Sequence, residues 1–476
     1  MTEFSSQALR ALDMLGSGLG VSSPLDLDAV RFTGTTPALD TPHRITAAGA
    51  ASIAAVAACA ARRWSQHRRS KQTITIDAVQ ATCALEPSHF QTQHGHRVPQ
   101  SSHSRELKSG FYQTADNKWF MPSGSYPHLR DATLEMLDCP NTSAAIAAAI
   151  SRRTGDELEQ ACAERAIPGV YARSREAWLR HPQGIALAHA PVITIEKVGE
   201  SRPEVARPDR RPLDDLRVLD ASHVVAGPVA ARTLGAFGAQ VLRISSPHQP
   251  DPIPQILDTG IGKRNAYLDL RDTADRDTLA KLARSTDVFV QSWRPSALDA
   301  LGCSVADLAR IRPGIIYVSI NAFGFTGPWA NRKGFDQMSQ TATGIASGQG
   351  RGGKPALVPT RLLNDYLTAY LAAAGVMEAL ARRAIEGGSY HVQLSLARTS
   401  MWVQELGINE PAGPLQRFDD LSPVMQTSVS PFGKLGQLGP VAVLSETPMY
   451  WDQGSAPLGA HEAIWLDQPD VAPVIN

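Results

Sequence analysis

Residues 216–245 read LRVLDASHVVAGPVAARTLGAFGAQVLRIS. The first residues, to Asp220, predict a buried strand that runs into a polar turn at Ser222 and His223. PVAARTLGAFG has the apolar spacing of a helix, and Gly238 is the kind of residue that ends one. AQVLRIS is a second strand. Strand, loop, helix and strand in so short a run predict parallel pairing, because parallel strands need a crossover between them.

The same rhythm continues downstream. RDTADRDTLAKLARS predicts a helix with Asp272 and Asp275 near its start, DVFVQSW a third strand, LDALGCSVADLARIRPG two short helices, and IIYVSINAFG another strand. The fold class is therefore α/β, a doubly wound parallel sheet with helices on both faces, over residues 212–476 with a C-terminal return segment. Such sheets bind ligands beyond the carboxyl ends of their strands. Those ends carry SHVVAGP, SSPHQPD, SWRP and NAFGFTGPW.

Residues 105–200 predict a smaller α/β unit: a hairpin at SGFYQTADNKWFMP, a helix at YPHLRDATLEML, and one further helix across AIAAAISRRTGDELEQACAERA. Proline and charge mark residues 201–211 as a linker. Residues 1–104 form an N-terminal helical and strand segment with a repeat in it. AAVAACAARRWSQHRRSKQTITIDAVQATCALE, from Ala54, matches the pattern of AGVMEALARRAIEGGSYHVQLSLARTSMWVQEL, from Ala374. A weaker echo pairs APVITIEKVGE (190–200) with SVSPFGKLGQLGPVAV (428–443). Duplication with unequal trimming explains this better than two unrelated helix–strand units.

Composition sets the outer bounds. Basic and acidic residues number 46 each, so there is no general charge attraction to nucleic acid or anionic lipid. The five cysteines are scattered, with no metal-ligand spacing and no HExxH, which predicts free thiols, no metal and a cytoplasmic setting. The N-terminus has no basic start followed by an apolar run, so no secretory signal is expected. ITAAGAASIAAVAACAA (45–61) is apolar, but its small residues suit a packed helix better than a membrane span.

Asp365, in LLNDYLTAYLAAAGVMEALARR, is a lone acid at the start of an alanine-rich helix. It could simply cap the helix. Aligned on the two ARR triplets, however, the first copy has Ile45 there, so such a helix forms without the acid. Asp336 is a second candidate acid. Lys263, Arg264, Trp293 and Arg294 suit a nucleotide phosphate and base, or are solvated surface groups. The glycine run 348–353 reads as a surface loop.

In order and at similar spacing, LRVLDASHVVAGPVAARTLGAFGAQVLRIS, GKRNAYLDLR, VQSWRPSALDALG, IIYVSINAFGFTGPWANRKGFDQMSQTATG and LLNDYLTAYLAAAGVMEALARR resemble the class III CoA-transferases. These are the relatives of formyl-CoA:oxalate and L-carnitine CoA-transferase and of α-methylacyl-CoA racemase. The small unit is similar to their second domain, but here it precedes the nucleotide-binding half, an altered domain order.

The resemblance implies a CoA-transferase with Asp365 as nucleophile, kept ionised by the helix start, moving CoA from an acyl-CoA to a small carboxylic acid. The CoA thioester is then a substrate, with no tightly bound cofactor, and the protein is a homodimer with neither nucleic acid nor membrane as partner. The CoA contacts it implies are His223, Val224, Val225 and Ala226 in the first loop, Trp293 and Arg294, and Lys333 with Phe335 and Asp336. Val225 stands where the formyl enzyme has a glutamine, and a glycine-rich closing loop of the small domain has no clear counterpart. Racemase relatives carry a histidine where this chain has Phe335, which favours transfer over proton exchange. The remaining alternative is a CoA-binding relative without catalysis.

Overall fold

The computed structural model describes residues 2–19, 26–100, 107, 110–295, 297–409 and 413–466. Six strands, Arg217–Asp220, Gln240–Ser245, Lys263–Tyr267, Val288–Gln291, Ile316–Asn321 and Ser389–Ser395, run parallel in one sheet. All four residues of VFVQ (288–291) are buried, as they must be where helices cover both faces.

In space the sheet begins with Lys263–Tyr267 and passes through Gln240–Ser245 to Arg217–Asp220. It then continues with Val288–Gln291, Ile316–Asn321 and Ser389–Ser395. Winding reverses between Arg217–Asp220 and Val288–Gln291. The carboxyl ends at such a reversal are where doubly wound sheets take their ligands.

An edge strand, Thr194–Gly199, runs antiparallel to Ser389–Ser395 and covers its outer side. By sequence these residues adjoin the small unit (105–200), but they pair with the large sheet. The exposed hydrogen-bonding edge of a long apolar strand demands a partner, and this segment supplies it.

The N-terminal segment builds a smaller sheet. Val30–Thr33 and Ile74–Asp77 pair in parallel, joined by the helix Ile45–Arg68, and Val443–Leu444 adds antiparallel to Ile74–Asp77. The Ile45–Arg68 helix is apolar and long enough to cross a membrane, yet 94% of its most apolar window is buried inside the protein. It lies along the helix Leu363–Glu386, and alanine on both lets the two approach closely. Where they meet, Glu378, with a side chain 0% exposed, is paired with Arg62 and, at 3.2 Å, with Arg382. Gly375, one turn before Glu378, meets the large sheet, where a Cβ would come within 2.8 Å of Val392.

The small unit has the expected hairpin, Tyr112–Gln113 with Trp119–Pro122, extended by Gly169–Tyr171. Its predicted second helix is two, Ser143–Ile150 and Gly155–Glu164. Thr154 and Glu157 form a reciprocal capping box that starts a new helix where the sequence suggested continuation.

Candidate active site

The first loop is riveted from below. Asp220, at the end of its strand, is fully buried and accepts from Lys263 Nζ at 2.7 Å and from the Ser222 hydroxyl. Lys263 also donates to Pro228 O at 2.6 Å, tying the strand end to the helix Ala226–Ala236. Burial draws the Lys263 ammonium down to about 8, while the Asp220 carboxyl, although buried, is held low by Lys263. Lys263 is thus a structural group, and the phosphate role considered from sequence does not fit it. Arg264 is engaged too, donating to the backbone of Ile464.

Above this rivet the chain turns sharply. Val224 has φ of +66°, a left-handed conformation that a β-branched residue adopts only when its surroundings impose it. The surroundings are explicit: both carboxylate oxygens of Asp251 accept the Val224 N–H at 3.2 Å. Buried Arg243 pairs with Asp251 from one side, and Tyr126 of the small unit donates its hydroxyl to Asp251 from the other at 3.2 Å. The turn presents His223, whose N–H donates to Ser292 Oγ at 3.0 Å. The His223 ring stacks on Trp293 with centroids 4.0 Å apart, and Trp293 Nε1 donates to Ala221 O at 2.8 Å.

These groups wall a cavity of about 340 Å³. His223, Val224, Val225, Ala226, Trp293, Arg294, Lys333, Phe335 and Asp365 all line it, brought from four separate stretches of sequence. Arg294 and Lys333 bring two positive charges to the same wall; burial and the Arg294 charge lower the Lys333 ammonium. Tyr126, His128, Leu129 and Pro168 of the small unit complete the cavity, with Tyr126 stacked on Phe335 at 5.9 Å. The sequence reading missed these four, and also Asp251 and Ser292. For Asp251 and Ser292 the signal was their place at strand ends; for the small-unit residues there was none, because nothing local tells which sheet that unit covers.

Asp336 does not belong to the wall. It is 0% exposed and lies beneath Asp365, so the CoA contact expected of it is corrected. Its carboxylate accepts from Gln340 Nε2 at 2.7 Å, Asn364 Nδ2 at 3.0 Å and the Asp365 N–H at 2.8 Å. Asp336 thereby satisfies the first amides of the Leu363–Glu386 helix, leaving the Asp365 side chain free of capping duty. Burial, and then the neighbouring Asp336 charge, push the Asp365 carboxyl well above the usual range. This direction is opposite to the expectation that the helix start holds Asp365 ionised; burial raises Asp336 too, to about 6, but its carboxylate has three donors to favour its charged form.

The family model of CoA-transferase family III matches residues 213–466. Acetyl-coenzyme A transferase nodX of Hypoxylon pulicicidum is 30% identical over 341 residues, covering 66% of this chain and 57% of that protein. Acetyl-CoA:oxalate CoA-transferase of Acetobacter aceti is 32% identical over 197 residues, 39% of this chain and 51% of that one. The crystal structure of Rv3272 from M. tuberculosis is 30% identical, covering 41% of this chain and 56% of that one with a TM-score of 0.40. The chain thus spans little more than half the length of these relatives. With more than half of its own residues inside the family model, the chain belongs to CoA-transferase family III.

Proposed function

We propose that this protein transfers CoA from an acyl-CoA to a carboxylic acid, with Asp365 as the covalent nucleophile. The observation that carries this reading is a carboxylate relieved of its capping role and set in the wall of a cavity that also has Arg294, Arg332 and Lys333 and a stacked His223–Trp293 pair in its lining. A cavity of about 340 Å³ is of a size to take the thioester end of such a substrate. Lys333 and Arg294 suit the phosphates of the nucleotide end.

In the reaction Asp365 Oδ attacks the thioester carbonyl. The carbon–sulfur bond breaks, giving an acyl-aspartyl anhydride and CoA thiolate. The thiolate attacks the aspartyl carbonyl and releases the first acid as its carboxylate, leaving an aspartyl-CoA thioester. A second carboxylate attacks that thioester, expelling CoA thiolate and forming a new anhydride. The thiolate then attacks the new acyl carbon, so acyl-CoA departs and Asp365 is a free carboxylate again. One negative charge passes through every step, and each single step is easier than direct exchange.

Proton exchange at an α-carbon is less well supported, because Phe335 is stacked on Tyr126 and carries no titrating group. The test is chromatographic: the protein is incubated with acyl-CoA donors and carboxylic acids, and new acyl-CoA is quantified. Asp365→Asn is expected to lower the rate by about a thousandfold or more. Unchanged transfer in that variant defeats the reading, and α-deuterium uptake from heavy water without transfer favours the racemase alternative.

A further inference from the structure

Two sheet edges in this chain are closed by exchange. Thr194–Gly199, which follows the N-terminal helix–strand unit and the small unit, edges the sheet of the C-terminal half by pairing with Ser389–Ser395. Val443–Leu444, which follows the C-terminal helix–strand unit, edges the N-terminal sheet by pairing with Ile74–Asp77.

The registers of the two exchanges agree. Asp77 and Ser395 each end a strand and cap the helix behind it, Asp77 accepting from Val79 and Gln80, Ser395 from Arg398. Superposing those caps makes Thr75 equivalent to Gln393 and Ile74 equivalent to Val392. Superposing PVIT (191–194) on PVAV (440–443) makes Thr194 equivalent to Val443 and Ile195 equivalent to Leu444. Gln393 pairs with Thr194 and Val392 with Ile195; Thr75 pairs with Val443 and Ile74 with Leu444. A slip of one residue would turn each strand over, so two independent pairings in one register reflect a common plan. The helices Ile45–Arg68 and Leu363–Glu386, which lead into the two strands, pack on each other between the sheets.

We infer that the chain is an internal two-fold assembly, in which each of two related units closes the other's sheet as two identical subunits would in an isologous dimer. The partner surface is covered from within, and the protein acts as a single chain. It carries one competent centre: the N-terminal unit has buried Ile45 where the C-terminal unit has Asp365, while the small unit walls the C-terminal cavity through Tyr126, His128, Leu129 and Pro168.

Two measurements on the whole protein test this, and neither depends on the catalytic reading. Light scattering is expected to give the mass of one chain, 51.1 kDa. A protease site inserted after Val205, which is 74% exposed in the linker, then allows the folded chain to be nicked. The pieces 1–205 and 206–476 are expected to stay together in equal amounts through gel filtration, because each supplies a strand to the other. A two-chain mass for the intact protein overturns the inference, and so does separation of the nicked pieces under native conditions.

Discussion

Among single residues, two acids decide the proposed chemistry, Asp365 at the cavity and Asp336 beneath it. Transfer needs Asp365 ionised, and both burial and the Asp336 charge oppose ionisation. A carboxyl raised in this way stays protonated through the ordinary carboxylate range, so activity falls as pH drops through its raised value. Asp336→Asn keeps the shape and removes the charge, leaving burial as the opposing cause. The acid limb of the pH–rate profile is expected to move down by about one unit, measured with a saturating donor. A limb that stays in place, with transfer intact, shows that Asp336 only positions the helix. Asp365 stood out in the sequence because its surroundings are apolar and the position aligned with it on the two ARR triplets is Ile45. The burial of Asp336 was not legible, since an acid written close to Lys333 and Phe335 reads as one more candidate acid and CoA contact until the packing is known.

Between elements, the first loop depends on partners remote in sequence. Asp251 holds Val224 in its left-handed turn while Arg243 neutralises Asp251 and Tyr126 joins it to the small unit. Asp251→Asn is expected to weaken CoA binding about tenfold by calorimetry, the order of an unbalanced strained residue of 1–3 kcal/mol. Adding Val224→Gly should recover much of that loss, because glycine adopts φ of +66° without strain. If glycine rescues nothing, Asp251 acts in some other way. The Asp220–Lys263 pair below has a stability role: Lys263→Met strands a buried carboxylate and should cost about 3–5 kcal/mol in urea denaturation. The alternation of strands and helices, and so the carboxyl ends where ligands bind, could be read from the sequence by hydrophobic period. The loop's strain could not, because it is imposed by Asp251 from the loop after the neighbouring strand Gln240–Ser245, with no local signal at Val224.

For the molecule as a whole, the inferred repeat rests in sequence on two helix–strand–helix patterns, and the destination of the strands that follow was not legible. Residues 194–199 read as the end of the small unit because they adjoin it; they join the large sheet because Ser389–Ser395 leaves an edge to be paired. The same ambiguity hid the small unit's position over the cavity. The central claim, one aspartyl centre per chain, is tested most directly by intact mass spectrometry after mixing with a panel of acyl-CoAs, beside Asp365→Ala. The wild-type chain is expected to gain the mass of one CoA joined through a thioester, and the variant none. Equal gains on both proteins, or none on either while calorimetry shows CoA bound, would contradict that claim.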